Sequence, residues 1–345
     1  MKKKITFIGH YAENKRLYDG QTVKTKILFD EIKDTDIYDV EMIDTHNWKN
    51  NIYSLVKRCK NACKNDDYVI MMPDLNGFRA LVRMLPFFNK KKNCKLIYVV
   101  VGGWLSAFLK KNPKYVSLLN EFDAIIVETE CLKYELEHQN VHNTHIIPNF
   151  KRLDIVKTLA PVAKYPYRFC TFSRVMKEKG IEDAIECIKR INEKYDNDIV
   201  TLDIYGQIEE NYKDEFERIM KNVPKYIRYK GIVEFENSVE ILKDYYAMLF
   251  PTTYYAECLA GTVIDAFASG LPVIAYDWPS GHDLISNGVE GWLCKAEVDE
   301  LIKAVEFAIN DQDMMLEMRI NCVKKAKEYT PDVNIQKLIK ILMEL

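Results

Sequence analysis

The sequence predicts an α/β protein built from two doubly wound parallel-sheet domains in tandem. Three observations lead to this prediction: the length of 345 residues, short apolar runs that alternate with helical segments, and a restart of that alternation near the middle of the chain. Strands that are buried on both faces read as continuous apolar runs, and intervening helices require parallel pairing. A chain of this length can bury two separate cores.

The first half of the chain contains six predicted strands. They are ITFIG, VEMID, YVIMM, LIYVVVG, AIIVE and IIPNF, at residues 5–9, 40–44, 68–72, 96–102, 124–128 and 146–150. Helical segments separate them, as in QTVKTKILFDEIKD. The prolines at 161 and 166 then indicate a linker. We therefore expect a first domain over residues 1–155.

The pattern of strand and helix restarts after the linker. Six further strands are predicted at 168–174, 200–206, 227–233, 247–252, 271–277 and 291–295. The segment IEDAIECIKRINEKY, which follows the first of them, has the spacing of an amphipathic helix. These elements predict a second domain over residues 165–328.

The end of the chain is helical, with a break at Pro331. Proline interrupts a helix because it lacks an N–H and its ring clashes with the preceding turn. Residues 332–345 then form an amphipathic segment with Ile335, Leu338 and Leu342 on one side. We expect this last helix to pack apart from the helices that precede it.

Composition and charge restrict the class of protein. Hydrophobic residues make up 48% and charged residues 29%, and no apolar run approaches the roughly 18 residues of a membrane span. The start, MKKKITFIGH, is too short for a signal peptide and reads as a first strand. Nine cysteines without a CxxC pair predict reduced thiols and a cytoplasmic protein.

The charge is divided unevenly along the chain. Residues 1–150 hold 23 basic and 18 acidic side chains, whereas the remainder holds 26 and 33. A basic half joined to an acidic half indicates two unlike surfaces. The net charge of −2 and the lack of a basic stripe with stacking residues argue against nucleic-acid binding.

Two carboxylates surround a predicted helix start in the run FPTTYYAECLAGTVIDAFASG. Glu257 lies in the loop, and Asp265 lies inside the helix that begins near Gly261 and Thr262. The free N–H groups of a helix start attract anions, so a diphosphate could bind there while the acids accept hydrogen bonds from hydroxyls. An ordinary loop with a solvated Glu257 explains the spacing equally well.

A basic segment, FSRVMKEKG, ends the first strand of the second domain. It places Arg174 and Lys179 just before a helix start, an arrangement that can clamp a phosphate. A solvated basic loop is the alternative. Taken together, the two segments supply the cations, anions and helix starts that a nucleotide-diphosphate sugar requires.

These motifs resemble glycosyltransferase family 4, whose members are retaining enzymes of the GT-B fold. The resemblance covers residues 168–293 in order: Arg174 with KG, then IYG, YKGIV, PTTYYAEC with a later acid, SGLPVIA and NGVEGWL. It implies two Rossmann-like domains with a cleft between them and a last helix, 332–345, that crosses back to the first domain. The first half agrees more loosely, through DGQT and IIPNF.

The resemblance assigns a role to each matching residue. Arg174 and Lys179 would neutralise the departing diphosphate, and Glu257 would lie near the donor sugar. Asp265 would bind the ribose hydroxyls. The remaining nucleotide-binding positions are Gly20, Val233, Gly261 and Thr262.

The sequence departs from the family pattern at three places. Asp265 stands where the family usually has Glu, and Cys258 stands where it usually has Gly. The family's His after the fourth strand is missing from VVVGGWLSAF, where Gly102, Gly103 and Trp104 form either a sugar platform or a turn with a core Trp.

Other residues have weaker claims. His10, at the end of the first strand, is a candidate for the acceptor side, and His282 lies near the donor loop. The DTD at 34–36 resembles a metal-binding motif but falls at the far end of the first helix, where a polar turn explains it. We therefore expect no metal and no cofactor.

The sequence as a whole predicts a retaining transferase that moves a sugar from a nucleotide-diphosphate sugar, with UDP favoured, to a glycan or lipid-linked glycan of surface polysaccharide synthesis. A nucleotide-sugar epimerase and an inactive glycan-binding subunit remain alternatives. The segment 77–95 combines arginines, aromatics and three lysines, which suits weak binding to the anionic inner membrane face. A core helix followed by a solvated turn is the other interpretation of that segment.

Overall fold

The computed structural model describes residues 2–12, 20–46, 48, 51–159 and 165–345. The chain divides into two compact units. Unit 1 comprises Met1–Arg152 with Thr330–Leu345, and unit 2 comprises Leu153–Tyr329. Each unit contains a six-stranded sheet in which all neighbouring strands are parallel. The predicted fold class, α/β with two tandem Rossmann-like domains, is confirmed.

Unit 1 alternates strands and helices in the order that its apolar runs predict. Its sheet has the order β2-β1-β3-β4-β5-β6, so the direction of the chain across the sheet reverses between β1 and β3. The elements are β1 Lys4–Gly9, α1 Gly20–Asp34, β2 Asp39–Asp44, α2 Ile52–Asn65, β3 Tyr68–Met72, α3 Leu75–Phe88, β4 Lys95–Val99, α4 Trp104–Lys111, α5 Tyr115–Leu119, β5 Ala124–Val127, α6 Glu130–Glu137 and β6 Thr144–Ile146.

The sixth strand differs from its prediction. We expected it over 146–150, but β6 occupies Thr144–Ile146 and the chain beyond it is irregular. Pro148 has no N–H to donate to a neighbouring strand, which explains why the ladder cannot continue. Ile147 and Phe150 are nonetheless buried in the core of unit 1, which accounts for their apolar pattern.

Unit 2 repeats the alternation with a different strand order. Its sheet reads β12-β11-β10-β7-β8-β9, so the reversal falls between β7 and β10. The elements are β7 Tyr167–Phe172, α7 Ile181–Tyr195, β8 Val200–Tyr205, α8 Lys213–Met220, β9 Ile227–Gly231, α9 Ser238–Leu242, β10 Ala247–Phe250, α10 Gly261–Ala268, β11 Val273–Tyr276, β12 Gly291–Cys294, α11 Val298–Asn310 and α12 Gln312–Ala326.

The last helix, α13 (Pro331–Glu344), belongs to unit 1. Pro331 is its first residue, a position where the missing N–H has no helical partner in any case. Ile335, Leu338 and Leu342 are buried in the same core as the strands of unit 1. The hydroxyl of Tyr68 donates a hydrogen bond to the carbonyl of Leu342 at 2.6 Å.

We predict that Leu338→Ala lowers the free energy of unfolding of unit 1 by about 2–5 kcal/mol, because it leaves a cavity under a fully buried side chain. Val333→Ala on the same helix is the control, since Val333 is 44% exposed and its truncation should cost less than about 0.5 kcal/mol. Chemical denaturation of both variants measures the difference. Equal midpoints would contradict the assignment of α13 to this core.

Candidate functional site

The candidate site of unit 2 lies at the reversal of its strand order. Ligands of open parallel sheets bind beyond the carboxyl ends of the strands on either side of such a reversal. Arg174 and Lys179 follow β7, and Glu257 and Gly261 follow β10, the two strands that meet there. The sheet topology therefore directs the loops that carry the basic segment and the acidic segment to the same edge.

Gly180 brings these two loops into direct backbone contact. It ends a short 3₁₀ helix, Lys177–Lys179, with a φ of +68°. A Cβ built on Gly180 would lie 2.0 Å from the carbonyl oxygen of Pro251, so only glycine fits between the loops. The N–H of Thr253 donates to the carbonyl of Glu178 at 2.8 Å and fastens the contact.

Across this contact, Lys179 and Glu257 form an ion pair. Their side chains are only 9% and 11% exposed, which is unusual for charged groups outside a paired site. Thr252 donates its hydroxyl to the same carboxylate oxygen at 3.1 Å. The sequence predicted both charged residues as ligands of a donor, and the structure places them against each other.

Aromatic rings surround the two cations of the basic segment. The ammonium of Lys179 lies 5.3 Å from the ring centres of Phe250 and Tyr254. The guanidinium of Arg174, whose side chain is exposed, lies 5.8 Å from the ring of Tyr254. Cations at this range are attracted to the faces of aromatic rings. Tyr254 therefore helps to keep both cations on one side of the loop.

The helix α10 begins at Gly261, as the sequence predicts. Its N-cap residue, Ala260, has no side chain that can accept a hydrogen bond from the first turn. Gly261 and Thr262 are half-buried, whereas Asp265 is 3% exposed. The helix start can thus receive an anion, while Asp265 lies one turn deeper, inside the helix packing.

The ends of β7, β8 and β9 also approach closely. A Cβ on Gly206, whose φ is +136°, would lie 1.7 Å from the carbonyl oxygen of Ser173. The hydroxyl of Tyr229 donates to the carbonyl of Gly206 at 2.8 Å, and burial raises the pKa of this tyrosine. Val233, two residues beyond β9, is half-buried against the unit 2 core.

Unit 1 carries a separate polar cluster at its own strand reversal. His10 follows β1 and shares hydrogen bonds with Thr22 at 2.9 Å and with His46 at 2.7 Å. Lys24 of α1 and Glu128, just after β5, form a buried ion pair at 2.5 Å. Gly20 is the exposed first residue of α1, and a Cβ on it would meet nothing within 4 Å.

Three weaker candidates have ordinary structural surroundings. The indole N–H of Trp104 donates to the carbonyl of Val101 at 3.1 Å. His282 is an exposed residue beside Asp277, at 3.4 Å. In the DTD segment, Asp34, the last residue of α1, pairs with Arg152 at 3.1 Å, and Asp36, in the turn after α1, pairs with Lys2, so both carboxylates form surface ion pairs.

Sequence reasoning missed several residues that the fold brings to these clusters. Thr252 and Tyr254 contact the ion pair directly, and both were visible in the PTTYYAEC motif beside Glu257. His46 and Glu128 carried no motif. They reach the edge of unit 1 only because they follow β2 and β5, so their position could be read from strand ends alone.

Two family descriptions match the chain. Residues 155–329 match "Glycosyl transferases group 1", which is just over half of the chain. The chain belongs to this family. Residues 21–149 match the N-terminal domain of the "Glucosyltransferase 3-like" family. This match confirms that the motifs belong to a glycosyltransferase.

Curated relatives share part of the chain. The GtfA subunit of a UDP-N-acetylglucosamine–peptide N-acetylglucosaminyltransferase from Streptococcus agalactiae is 33% identical over 136 residues, 39% of this chain and 25% of the relative. The GtfA subunit of Streptococcus pneumoniae is 26% identical over 189 residues, 53% of this chain and 36% of the relative. The chain therefore spans about a quarter to a third of these relatives' length.

Solved structures match along the whole chain. HepE of Anabaena, in complex with UDP and glucose, has a TM-score of 0.77 at 15% identity and covers 99% of this chain and 100% of its own. Sucrose-phosphate synthase of Thermosynechococcus elongatus has a TM-score of 0.80 at 12% identity, with 99% of each chain covered. At such identities the likeness establishes the fold, which is GT-B.

We predict that Gly180→Ala destabilises unit 2 far more than Gly288→Ala does. Both glycines have a left-handed φ, +68° and +80°, so both substitutions incur about 1–2 kcal/mol of backbone strain. Only the Cβ at 180 meets backbone, whereas the position at 288 is open. Chemical denaturation should show a further loss for Gly180→Ala of about 2 kcal/mol or more.

Equal destabilisation of the two variants would show that the contact with Pro251 does not constrain the loops. Folding of both variants is followed by circular dichroism, so that a failure to fold counts as destabilisation rather than as a missing value.

Proposed function

We propose that the protein is a retaining glycosyltransferase whose donor is a nucleotide-diphosphate sugar, with UDP as the nucleotide. The observation that carries this proposal is the buried Lys179–Glu257 pair between the loops after β7 and β10, beside Arg174 and the start of α10. Membership of the glycosyl transferases group 1 supports it. The UDP bound to HepE, a protein of the same fold, favours the choice of nucleotide.

The proposed chemistry is the transfer of a glycosyl group between two oxygens. The bond between the anomeric carbon and the β-phosphate oxygen breaks, and its electron pair stays on the diphosphate. Arg174, Lys179 and the N–H groups at Gly261 and Thr262 stabilise the negative charge that develops there. The acceptor hydroxyl attacks the anomeric carbon from the face that the diphosphate leaves, and it gives its proton to the departing phosphate. Because attack and departure occur on the same face, the anomeric configuration is retained.

The ion pair has a second role in this proposal. In the absence of donor, Glu257 neutralises Lys179, and Thr252 fixes the orientation of the carboxylate. When the diphosphate arrives, it supplies a new counter-charge to Lys179, and the carboxylate becomes available to accept hydrogen bonds from the hydroxyls of the donor sugar. One pair thereby supplies both a cation for the phosphate and an acceptor for the sugar.

The nucleotide itself has further proposed contacts. Asp265 accepts hydrogen bonds from the ribose hydroxyls, and Val233 lies beside the base. Gly20 leaves the first N–H groups of α1 open to phosphate. These roles follow the family pattern.

We further propose that the acceptor is a glycan or lipid-linked glycan of surface polysaccharide synthesis, used by a cytoplasmic enzyme at the inner membrane face. Every helix in the described part of the chain is too short or too polar to cross a bilayer. We propose that the protein associates with the membrane peripherally, through the basic unit 1.

Two other functions were open from the sequence. An epimerase would need both an acid and a base on the sugar, whereas Glu257 is the one charged group that the proposed mechanism assigns to the sugar; Arg174 and Lys179 are assigned to the diphosphate and Asp265 to the ribose. An inactive partner subunit is suggested by the similarity to a chain of a GtfA/B complex, with a TM-score of 0.64 at 22% identity, covering 84% of this chain and 60% of that one. The intact ion pair favours an active enzyme.

We expect the protein to release free sugar and nucleotide diphosphate slowly from at least one UDP-sugar when no acceptor is present, since water can replace the acceptor. A panel of nucleotide sugars, followed by chromatography of both products, tests this. Arg174→Ala and Lys179→Ala should lower the rate by roughly 10²–10³-fold through loss of charge stabilisation.

Lys177→Ala is the matched control for the clamp. Lys177 lies two residues from Lys179 but is exposed and faces Glu215 at 3.6 Å. Its loss should leave turnover within about twofold of wild type. Release of an epimer would support the epimerase instead, and no turnover of any donor would support the inactive subunit.

For Asp265, we predict that Asp265→Ala weakens UDP binding by about 1–3 kcal/mol, the scale of a lost hydrogen bond to a charged group. Calorimetry of folded protein measures it. Because Asp265 is buried, Asp265→Asn is the control for the cavity: it keeps the volume and removes the charge. Asp265→Glu restores the usual family residue. Unchanged affinity in both Asp265→Ala and Asp265→Asn would remove the ribose role.

A further inference from the structure

The helices α2 and α3 of unit 1 contain no acidic residue. In α2 the charged side chains are Lys57, Arg58, Lys60 and Lys64. From Leu75 at the start of α3 the chain has nine basic residues and no acidic one until Glu121. Most of the excess positive charge of the first half of the chain therefore lies in α2, in α3 and in the segment that follows α3.

Each helix presents most of its cations along one exposed stripe; Arg58, which donates to the carbonyl of Met42, lies outside it. In α2, Tyr53, Lys57, Lys60 and Lys64 are all exposed, and their spacing of four, three and four residues aligns them on one side of the helix. In α3, Arg79, Arg83 and Phe87 are exposed at intervals of four residues, and the turn after the helix continues with Lys90, Lys91 and Lys92. Each stripe combines cations with one exposed aromatic ring.

The two helices lie side by side on one face of the sheet of unit 1. Both follow strands of a parallel sheet in right-handed crossovers in the same direction, from β2 to β3 and from β3 to β4. The thiol of Cys63 in α2 donates to the carbonyl of Leu85 in α3 at 3.9 Å. The two stripes therefore form one surface, which we call the α2–α3 surface.

The structure corrects the sequence-based view of residues 77–95. Leu81, Val82 and Leu85 are buried, so the apolar face of α3 packs on unit 1 and is not available to a membrane. Phe88 is half-buried, and Phe87, at 61% exposure, is the ring that remains open. Three further large hydrophobic side chains are exposed at the start of α2 or just before it: Trp48, Ile52 and Tyr53.

Within the part of the chain that the structure describes, no carboxylate lies at ion-pair distance from the lysines of this surface. None of Lys57, Lys60, Lys64, Lys91 and Lys92 takes part in an ion pair within the described residues. The ammonium of Lys90 lies 4.3 Å from the ring centre of Phe87. Exposed lysines elsewhere often face a carboxylate, as Lys194 faces Glu306 in unit 2 at 2.6 Å.

We propose that the α2–α3 surface is the docking surface of this protein for an anionic lipid bilayer. This inference rests on the proposed lipid-linked acceptor, and it names the part of the molecule that meets the membrane. Each cation near an anionic leaflet contributes about 1 kcal/mol, and aromatic rings enter the headgroup region. Cations on two parallel helices, with a ring in each stripe, complement a plane of phosphates.

The test is cosedimentation of the full chain with vesicles of phosphatidylglycerol and phosphatidylcholine, and with vesicles of phosphatidylcholine alone. The variants reverse three charges each: Lys57→Glu, Lys60→Glu and Lys64→Glu in α2, and Lys90→Glu, Lys91→Glu and Lys92→Glu after α3. The matched control reverses three exposed lysines of unit 2: Lys221→Glu, Lys225→Glu and Lys324→Glu.

We expect wild type to bind the anionic vesicles only and to be released as salt rises, because salt screens exposed charges. Each unit 1 variant should bind at least tenfold more weakly, while the control binds like wild type. No binding by wild type at low salt, an equal loss in the control, or a loss in only one of the two unit 1 variants would overturn the proposal. Equal wild-type binding to poly-glutamate and to vesicles, both abolished by the same variants, would overturn it in favour of an acidic protein partner.

The vesicle result is independent of catalysis. Donor hydrolysis without acceptor involves only residues of the candidate site, so the unit 1 variants should hydrolyse the donor at the wild-type rate. Loss of vesicle binding with unchanged hydrolysis supports the docking surface, whereas absence of hydrolysis in every variant and in wild type counts against the proposed function alone.

Discussion

The contact between Gly180 and Pro251 is the constraint on which the candidate site depends. The loops after β7 and β10 arrive at the same edge because those strands are neighbours, but adjacency alone leaves their distance open. A glycine with a left-handed φ lets the two backbones touch, and the hydrogen bond from Thr253 to Glu178 fixes their register. Only then can the side chains of Lys179 and Glu257 meet with little exposure to solvent.

A charge pair of this kind is costly to build and is informative for that reason. Two ions that leave water lose favourable hydration free energy. Their mutual attraction offsets this loss only when the geometry is good and additional hydrogen bonds are made. Thr252 supplies one such bond, and the rings of Phe250 and Tyr254 supply favourable contacts for the ammonium. A well-packed apolar pair could serve stability equally well, so the charges point to a ligand rather than to the fold.

Much of the fold could be predicted from the sequence, because parallel strands and their helices leave strong periodic signals. The prediction of a strand at 146–150 was wrong because Ile147 and Phe150, apolar residues of an irregular buried segment, give the same pattern as a strand, and Pro148 prevents the ladder from continuing. The break at Pro331 was predictable, because proline interrupts a helix but is favoured as the first residue of one.

The site was predictable only in part. The sequence predicts Lys179, Glu257 and the start of α10, because each belongs to a short segment whose residue types alone indicate phosphate or hydroxyl binding. Their direct pairing could not, since it depends on the positive φ of Gly180 and on the order of strands in the sheet. His46 and Glu128 follow strand ends that the sequence predicts, but their pairing with His10 and Lys24 could not be read from it, because these pairs form across unit 1, over 36 and 104 residues of sequence.

The helix α13 imposes an order on events during protein synthesis. Its apolar side chains complete the core of unit 1, yet the ribosome reaches them only after the whole of Leu153–Tyr329. At roughly 5–20 residues per second, this delay is on the order of 10–35 s. During that interval the surface around Tyr68 and Leu28 that α13 later covers is open to water and to chaperones. Unit 2, whose segments are contiguous in the chain, can fold first although it is made second.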